Sequence, residues 1–150
     1  MKNILSISLE CDMGYARIAS LVASNVAEIF ANSTDASGNI AEFCHAFELS
    51  VSESFTNSVC FADSSNQEKQ VIISFTSNER ELSVTVIDTN QQFNPLTQAP
   101  DMLSYPEKGY GLIIINRLMD SVSYTRKDNK NILVMSKHVE MARTVFPQST

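Results

Sequence analysis

The chain has 150 residues, a formal net charge of -6, and 43% apolar and 19% charged residues. These values are ordinary for one globular domain that builds its own core, and they exclude a chain that is disordered throughout. An acidic chain is also a poor non-specific nucleic-acid binder, because that affinity comes from neutralising phosphates. We therefore expect a single domain over residues 1–150 that does not bind nucleic acid.

One strand and two helices are predicted in the first part of the chain. Residues 3–10 alternate apolar and polar side chains, which is typical of a half-buried strand. Asp12 is the predicted N-cap of a first helix, whose apolar residues then keep helical spacing. Asn39 and Glu42 have the spacing of a capping box and predict a long second helix over residues 39–62.

The second predicted helix has two unlike faces. Its apolar stripe consists of Ile40, Phe43, Cys44, Phe47, Val51, Phe55, Val59 and Ala62. The opposite face carries small and polar residues, namely Ala46, Ser50, Glu53 and Asn57, with Ser54 beside them. The spacing of Glu53 and Asn57 is common by chance, so on its own it indicates only two side chains facing water.

Two hairpins and a third helix are predicted in the second half. Residues 69–89 contain two alternating runs around a short turn at 78–80, and residues 121–138 repeat this pattern. Between the hairpins, residues 111–120 predict a short apolar helix opened by glycines. This order predicts an α+β sandwich, with a mixed, mostly antiparallel sheet and helices packed on one face.

The connection over residues 90–108 contains three of the four prolines and has no periodicity. Unstructured connections of this length are uncommon inside compact domains and are usually lids, binding loops or disordered segments. We favour a ligand lid over a mere spacer.

The three cysteines, Cys11, Cys44 and Cys60, have neither metal-ligand spacing nor the even number of a disulfide framework. We interpret them as buried thiols in a reducing compartment. The N-terminal run is too short and too polar for a signal peptide, and no stretch approaches about 18 apolar residues. The sequence thus predicts a cytoplasmic protein without a membrane segment.

Three motifs follow one another in a specific order: ELSVSESFTN on a helix, VIDT at a strand end, and KGYGLIIINRLMDSVSY after the proline-containing connection. This order resembles the ATP-binding domain of the GHKL superfamily, and most closely the anti-sigma factor serine/threonine kinases, the RsbW and SpoIIAB-like group. The resemblance covers nearly the whole chain. It implies the α+β sandwich of that superfamily and a bound ATP with Mg²⁺.

The first motif of the family is Glu, three residues and Asn, which here are Glu53 and Asn57. The resemblance implies that the Asn57 carbonyl oxygen binds the Mg²⁺ that bridges the phosphates, and that Glu53 is the general base. Both residue types suit these roles, because Mg²⁺ prefers oxygen ligands and phosphoryl transfer needs a group that orients the attacking hydroxyl.

The second motif resembles D-x-G-x-G-F, whose aspartate, here Asp88, accepts a hydrogen bond from the adenine amino group. Phe93 and Pro95 match the family, but Asn90 and Gln92 stand where it has glycines. Since glycine permits close backbone approach and positive φ, these replacements predict a narrowed or reshaped base pocket. Without the resemblance, a turn-forming aspartate after a strand is the alternative interpretation.

The third motif matches G-x-G-L at the start of a helix and comprises Lys108, Gly109, Tyr110, Gly111 and Leu112. The resemblance implies phosphate binding here, which suits the free N–H groups and the dipole of a helix N-terminus. Tyr110 replaces an arginine that is frequent in the family, and Lys108 is the candidate substitute for that phosphate contact.

The resemblance implies an anti-sigma factor that phosphorylates a serine of a STAS-domain anti-sigma factor antagonist and sequesters a sigma factor. Asn90, Gln92 and Tyr110 motivate the alternative, a catalytically weak or inactive module that switches partners by contact alone. The catalytic domain of a sensor histidine kinase is a weaker hypothesis, because no dimerisation helix with a phospho-acceptor histidine is seen.

His45 and His138 lack partners at metal or triad spacing, so we interpret both as structural or exposed residues. The sequence also leaves open whether the chain forms a homodimer.

Overall fold

The structure is a computed structural model that describes residues 1–60, 62, 69–90 and 106–141, without the side chains of 106–110. In chain order its elements are β1 (Lys2–Glu10), a 3₁₀ turn (Met13–Tyr15), α1 (Ala16–Asn32), α2 (Ile40–Cys60), β2 (Gln70–Ser77), β3 (Glu81–Asp88), α3 (Pro106–Leu118), β4 (Ser121–Lys127) and β5 (Lys130–His138). This is the order of helices and strands that the sequence predicts.

The five strands form one sheet in the order β1-β2-β3-β5-β4. Each of the four pairings between these described strands is antiparallel. Along the central strands, Ile73 pairs with Val86 and Val84 pairs with Met135. All four side chains are buried, because alternation directs every second residue of a strand to the core. The predicted α+β fold is confirmed.

Both hairpin turns form where the sequence predicts them. The Asn78 side-chain oxygen accepts hydrogen bonds from the backbone N–H groups of Arg80 at 2.9 Å and Glu81 at 2.8 Å. In the β4–β5 turn, Asp128 and Asn129 have φ angles of 53° and 60°. Asp and Asn tolerate such angles better than most residues, and a two-residue type I′ turn requires a positive φ at both positions.

The core is built from aromatic residues of α1 and α2 against the sheet. The rings of Phe30 and Phe43 have centroids 6.1 Å apart, and those of Phe43 and Phe47 have centroids 5.1 Å apart. Phe47 and Phe55 are fully buried, and Tyr15 packs against the core while half-buried. The apolar stripe predicted for the second helix therefore faces the core. Among the described residues, no helix combines the length and apolar character that crossing a bilayer requires.

The two predicted helix caps have different outcomes. Asp12 accepts a hydrogen bond at 2.7 Å from the backbone N–H of Gly14 and caps the 3₁₀ turn, whereas α1 begins only at Ala16. The prediction that Asp12 caps the first helix is confirmed for the 3₁₀ turn, which continues directly into α1, whereas α1 itself has no side-chain cap. Asn39 accepts a hydrogen bond at 3.1 Å from the backbone N–H of Glu42, and α2 begins directly after it, as predicted.

The three cysteines lie in three different environments. Burial raises the pKa of the Cys44 thiol, and burial together with the nearby negative charge of Asp88 raises the pKa of half-buried Cys11. Cys60 is exposed, so the prediction of three buried thiols is wrong for this residue. The physical reason is position, because Cys60 is the last residue of α2.

Candidate functional site

The C-terminal half of α2 connects the three sequence motifs. Glu53 and Asn57 lie on this helix, and both are half-buried. Ser58, which follows Asn57, donates a hydrogen bond from its Oγ to Oδ2 of Asp88 at 2.8 Å. On α3, a Cβ atom added to Gly111 would stand 2.5 Å from Oε2 of Glu53. Residues that are far apart in the sequence therefore lie around one stretch of α2.

Helix α3 packs against α2 and approaches it closely where Gly111 meets Glu53. Three small residues from the face opposite the apolar stripe, Ala46, Ser50 and Ser54, are buried. This face is therefore packed inside the protein rather than open to water, and its small side chains are what close packing requires. Ser54 Oγ donates to the backbone oxygen of Val51 at 3.1 Å, whereas Ser50 Oγ has no hydrogen-bond partner among the described residues.

The carboxyl group of Glu53 has a pKa that differs from the value of an exposed glutamate. Burial raises the pKa of its carboxyl group above the ordinary value, because partial desolvation disfavours the charged form. A carboxylate with a raised pKa is a stronger proton acceptor once it is ionised. Since a side chain at Gly111 would displace this carboxyl group, the glycine preserves the space in which Glu53 lies.

Asp88, the last residue of β3, has a carboxylate held by three donors. Its Oδ2 accepts the hydrogen bond from Ser58 Oγ, while Oδ1 accepts one from Asn131 Nδ2 at 2.8 Å and one from the Asn90 backbone N–H at 3.1 Å. Asn131 lies directly across from Asp88 in the β3–β5 register. This carboxylate is therefore fixed in orientation and supplied with donors, as a partly buried charge requires.

Asn90 occupies a buried position beside Asp88. It is 2% exposed, its Nδ2 donates to the backbone oxygen of Ser58 at 2.7 Å, and its Oδ1 accepts from Lys69 Nζ at 3.3 Å. Among the described residues other than glycine, only those of the β4–β5 turn have a positive φ, so Asn90 has an ordinary backbone conformation. Compared with a glycine at this position, Asn90 therefore differs by the bulk of a buried side chain and not by a strained backbone.

A further group of residues from the β4–β5 hairpin supports the Asp88 carboxylate. Asn131 Oδ1 accepts hydrogen bonds from Tyr124 OH at 2.6 Å and from Arg126 Nη1 at 2.8 Å. Arg126 Nη1 also donates to the Asn90 backbone oxygen at 3.0 Å. None of the three sequence motifs contains Arg126 or Asn131. The available signal was the predicted hairpin itself, because Arg126 and Asn131 lie opposite each other in it.

The third motif lies inside α3 and not at its first residue. This helix begins at Pro106, so the prediction that glycines open it is wrong, since proline is well suited to the first helical position. Lys108 remains in the first turn with Gly109, and Tyr110 follows them. Gly111 and Leu112 are buried.

Two other predictions from the sequence concern residues that the structure does not describe. Phe93, the predicted match to the family's aromatic residue, lies outside the described residues, and so does Gln92. The predicted lid over residues 90–108 falls mostly in the same range, 91–105, and it stays a prediction.

The oxygen donors on α2 suit a magnesium ion that arrives with a phosphate. In the part of the chain that the structure describes, no three His, Cys, Asp or Glu side chains group closely enough to hold a metal ion. Mg²⁺ usually takes only one or two protein ligands and completes its shell with substrate phosphates and water. The Asn57 amide oxygen, one helical turn from the Glu53 carboxylate, is a donor of this kind.

The two histidines lie outside this group of residues. His45 is exposed, with Nδ1 4.0 Å from Oε2 of Glu48. The His138 imidazole lies between two carboxylates, with Nε2 3.0 Å from Glu81 Oε2 and Nδ1 3.3 Å from Asp120 Oδ2. Partial burial works to raise the pKa of Asp120, but hydrogen bonds from His138 outweigh it and lower this pKa. His138 therefore links the ends of neighbouring strands, an arrangement that depends on strand register and not on sequence spacing.

Comparison with protein-family models matches residues 14–137 to a family described as a histidine kinase-like ATPase domain. The match covers most of the chain and includes every site residue described above, from Glu53 to Asn131. The comparison with curated proteins gave no match.

Proposed function

Because this chain belongs to the histidine kinase-like ATPase domain family, we propose that it binds MgATP and phosphorylates a serine of a STAS-domain anti-sigma factor antagonist. In the same proposal the protein is cytoplasmic and sequesters a sigma factor when it does not act on the antagonist. The observation that supports the proposal is the meeting of Glu53, Asn57, Asp88 and Gly111 around one half of α2.

In the proposed complex, the two ends of the nucleotide are bound by different elements. Asp88 accepts a hydrogen bond from the adenine amino group, with Ser58 holding the carboxylate in place. The Asn57 amide oxygen would be a ligand of Mg²⁺, and the first turn of α3, which contains Lys108 and Gly109, would bind the phosphates. Helix N–H groups and a lysine both favour an anion at such a position.

Transfer requires a base close to the metal-binding residue. When bound, MgATP would supply the γ-phosphoryl group, with ADP as the leaving group, and the cation that offsets the charge of the phosphate oxygens. Glu53 lies one helical turn before Asn57, and it orients the serine hydroxyl and accepts its proton. The raised pKa of the Glu53 carboxyl group strengthens it as a proton acceptor.

A second candidate function is a module of the same fold that switches partners without catalysis. The buried Asn90 side chain favours it, because this carboxamide lies beside Asp88 and bonds to the backbone of Ser58, where the family has glycine. The two candidate functions differ in whether a nucleotide binds in the site beside Asp88.

Titration of a fluorescent ATP analogue, with and without Mg²⁺, tests the proposed function. We expect micromolar binding that requires Mg²⁺, followed by transfer of labelled γ-phosphate to a serine-bearing STAS-domain protein. Absence of binding at millimolar analogue would contradict the kinase and favour the second candidate. Binding without transfer to such partners would leave nucleotide binding standing and contradict the kinase activity.

The variant Asn90→Gly is expected to bind the ATP analogue about tenfold more tightly than wild type, because the buried carboxamide no longer narrows the pocket. It should also lower the free energy of unfolding by about 1–3 kcal/mol, since the Ser58 carbonyl oxygen and Lys69 lose a buried partner. Asn78→Gly is the control, because Asn78 is exposed and lies in the β2–β3 turn. Unchanged affinity in Asn90→Gly would show that the side chain does not crowd the base.

A further inference from the structure

We propose that Asn131, held by Tyr124 and Arg126, limits Asp88 to one further hydrogen-bond donor and thereby makes the site select adenine over guanine nucleotides. This inference rests on the proposed function and adds to it the residues that set base specificity. Asn131 acts through Asp88, so it is a positioning residue.

The two oxygens of the Asp88 carboxylate are not equivalent. A carboxylate oxygen has two lone pairs for accepting hydrogen bonds. Both lone pairs of Oδ1 are used, by Asn131 Nδ2 at 2.8 Å and by the Asn90 backbone N–H at 3.1 Å. Within the described part of the chain, Oδ2 accepts one hydrogen bond, from Ser58 Oγ at 2.8 Å. One acceptor position is therefore left for a ligand, and it lies on Oδ2.

The orientation of the Asn131 carboxamide follows from its neighbours. A guanidinium group has only donors, so Arg126 Nη1, at 2.8 Å, must face the carboxamide oxygen. Tyr124 OH, at 2.6 Å, contacts the same oxygen. The opposite end, Nδ2, then points at Asp88. A flipped carboxamide would place N–H groups against the guanidinium and an oxygen against the carboxylate, and both contacts are repulsive.

Burial keeps this arrangement in place. Asn131 is 6% exposed and Asn90 is 2% exposed. Asn131 Nδ2 also lies 3.2 Å from the Asn90 backbone oxygen, which accepts a second hydrogen bond from Arg126. Because water has little access to these groups, their hydrogen bonds are strong, and a ligand cannot displace them without leaving buried polar atoms unpaired.

Adenine and guanine place different groups at such a carboxylate. Adenine offers one exocyclic amino group, which fits the single acceptor position on Oδ2. Guanine binds carboxylates through its adjacent N1–H and 2-amino donors, which need both oxygens at once. In the orientation of adenine, guanine would instead place its 6-keto oxygen, an acceptor, against Oδ2. A site in which Oδ1 is already filled therefore rejects guanine in both orientations.

Competition between nucleotides tests this inference on the full chain. Unlabelled ATP and GTP, each with Mg²⁺, are titrated against the bound fluorescent ATP analogue, and the ratio of their dissociation constants is measured. We expect wild type to favour ATP by about tenfold or more, the effect of one hydrogen bond to a charged group. In Asn131→Ala, which exposes Oδ1, the ratio should fall to about threefold or less, mainly through tighter GTP binding.

A matched variant separates specificity from stability. Ser136 lies on the same strand, and its Oγ is 2.6 Å from that of Ser83 in a buried hydrogen bond remote from Asp88. Ser136→Ala should lower the melting temperature, because it removes a buried hydrogen bond. It should keep the wild-type ratio of the ATP and GTP dissociation constants. Where Asn131→Ala does not fold, Arg126→Ala and Arg126→Lys replace it. The alanine variant should lose selectivity, and the lysine variant, which keeps a donor, should retain more of it.

The outcomes distinguish this inference from the proposed function. If wild type binds ATP and GTP equally well, the inference is overturned while nucleotide binding stands. The same holds if Asn131→Ala, or Arg126→Ala in its place, keeps the full preference for ATP. If wild type binds neither the analogue nor either nucleotide, the proposed function fails, and the inference fails with it.

Discussion

Asn57→Ala is expected to weaken Mg²⁺-dependent binding of the fluorescent ATP analogue by about a hundredfold while the domain stays folded. The substitution removes the amide oxygen that we assign to Mg²⁺. A hundredfold loss of affinity corresponds to about 3 kcal/mol, which is the size of one contact to a charged group. Within the described residues, the Asn57 side chain makes no hydrogen bond, and alanine is a better helix former than asparagine. Folding should therefore be preserved.

A second asparagine supplies the control for this prediction. Asn116 lies on α3, and its Nδ2 donates to the backbone oxygen of Leu112 at 2.9 Å. Asn116→Ala makes the same chemical change on another helix and should leave the affinity within about twofold, with both variants checked by thermal denaturation. Equal affinity of wild type and Asn57→Ala in the presence of Mg²⁺ would show that Asn57 is not the metal ligand.

The fold could be predicted because its determinants are local in sequence. Alternating residues give the strands, and the two turns contain residues that make turns by their own chemistry: Asn78 bonds the following N–H groups, while Asp128 and Asn129 accept positive φ. The long second helix follows from Asn39 as its cap. Such features need no knowledge of tertiary contacts.

The packing of α3 on α2 could not be predicted in this way. The small face with Ser50 and Ser54 has the composition of a solvent-facing or groove-like surface, yet these residues are buried. The sequence does not show that α3, which is distant along the chain, approaches α2 where Gly111 contacts Glu53. For the same reason, the altered acidity of Glu53 follows only from the tertiary structure.

The surroundings of Asp88 depend on strand register. The resemblance selects Asp88, but it does not select Asn131, which meets Asp88 only because β3 and β5 are neighbours with a particular alignment. Tyr124 and Arg126 lie one strand further away, on β4, and both donate to the Asn131 side chain. Specificity in this site therefore depends on residues that no local motif contains.

Glu53→Gln is expected to lower the rate of phosphoryl transfer by about 10²- to 10⁴-fold, the usual contribution of a general base. Glutamine has nearly the same shape and keeps an oxygen on the side chain, so binding of the ATP analogue should change by less than about threefold. The two quantities are measured separately, by single-turnover transfer of labelled phosphate and by fluorescence titration. A fall in affinity equal to the fall in rate would make Glu53 a binding residue.

The same substitution should change stability in a pH-dependent way. The folded-state pKa of Glu53 lies above its ordinary value of 4.5, so the folded protein holds this proton more tightly than the unfolded chain does. Wild type therefore gains stability as the pH falls from the raised pKa towards 4.5, and loses it as the pH rises through this window. Glutamine carries no charge at any pH. Glu53→Gln should therefore melt at a higher temperature than wild type at pH 7, with the difference vanishing near pH 4.

Glu48→Gln on the same helix is the matched control, because its side chain is 40% exposed and lies two turns from Asn57. It removes one negative charge from α2 without touching Asp88 or Gly111, so both the transfer rate and the melting temperature at pH 7 should stay near those of wild type. If Glu48→Gln raised the melting temperature as much as Glu53→Gln, the gain would come from the overall charge of an acidic chain. A gain confined to Glu53→Gln instead shows that desolvation under α3 acts on this one carboxyl group, which is the property that a general base at this position requires.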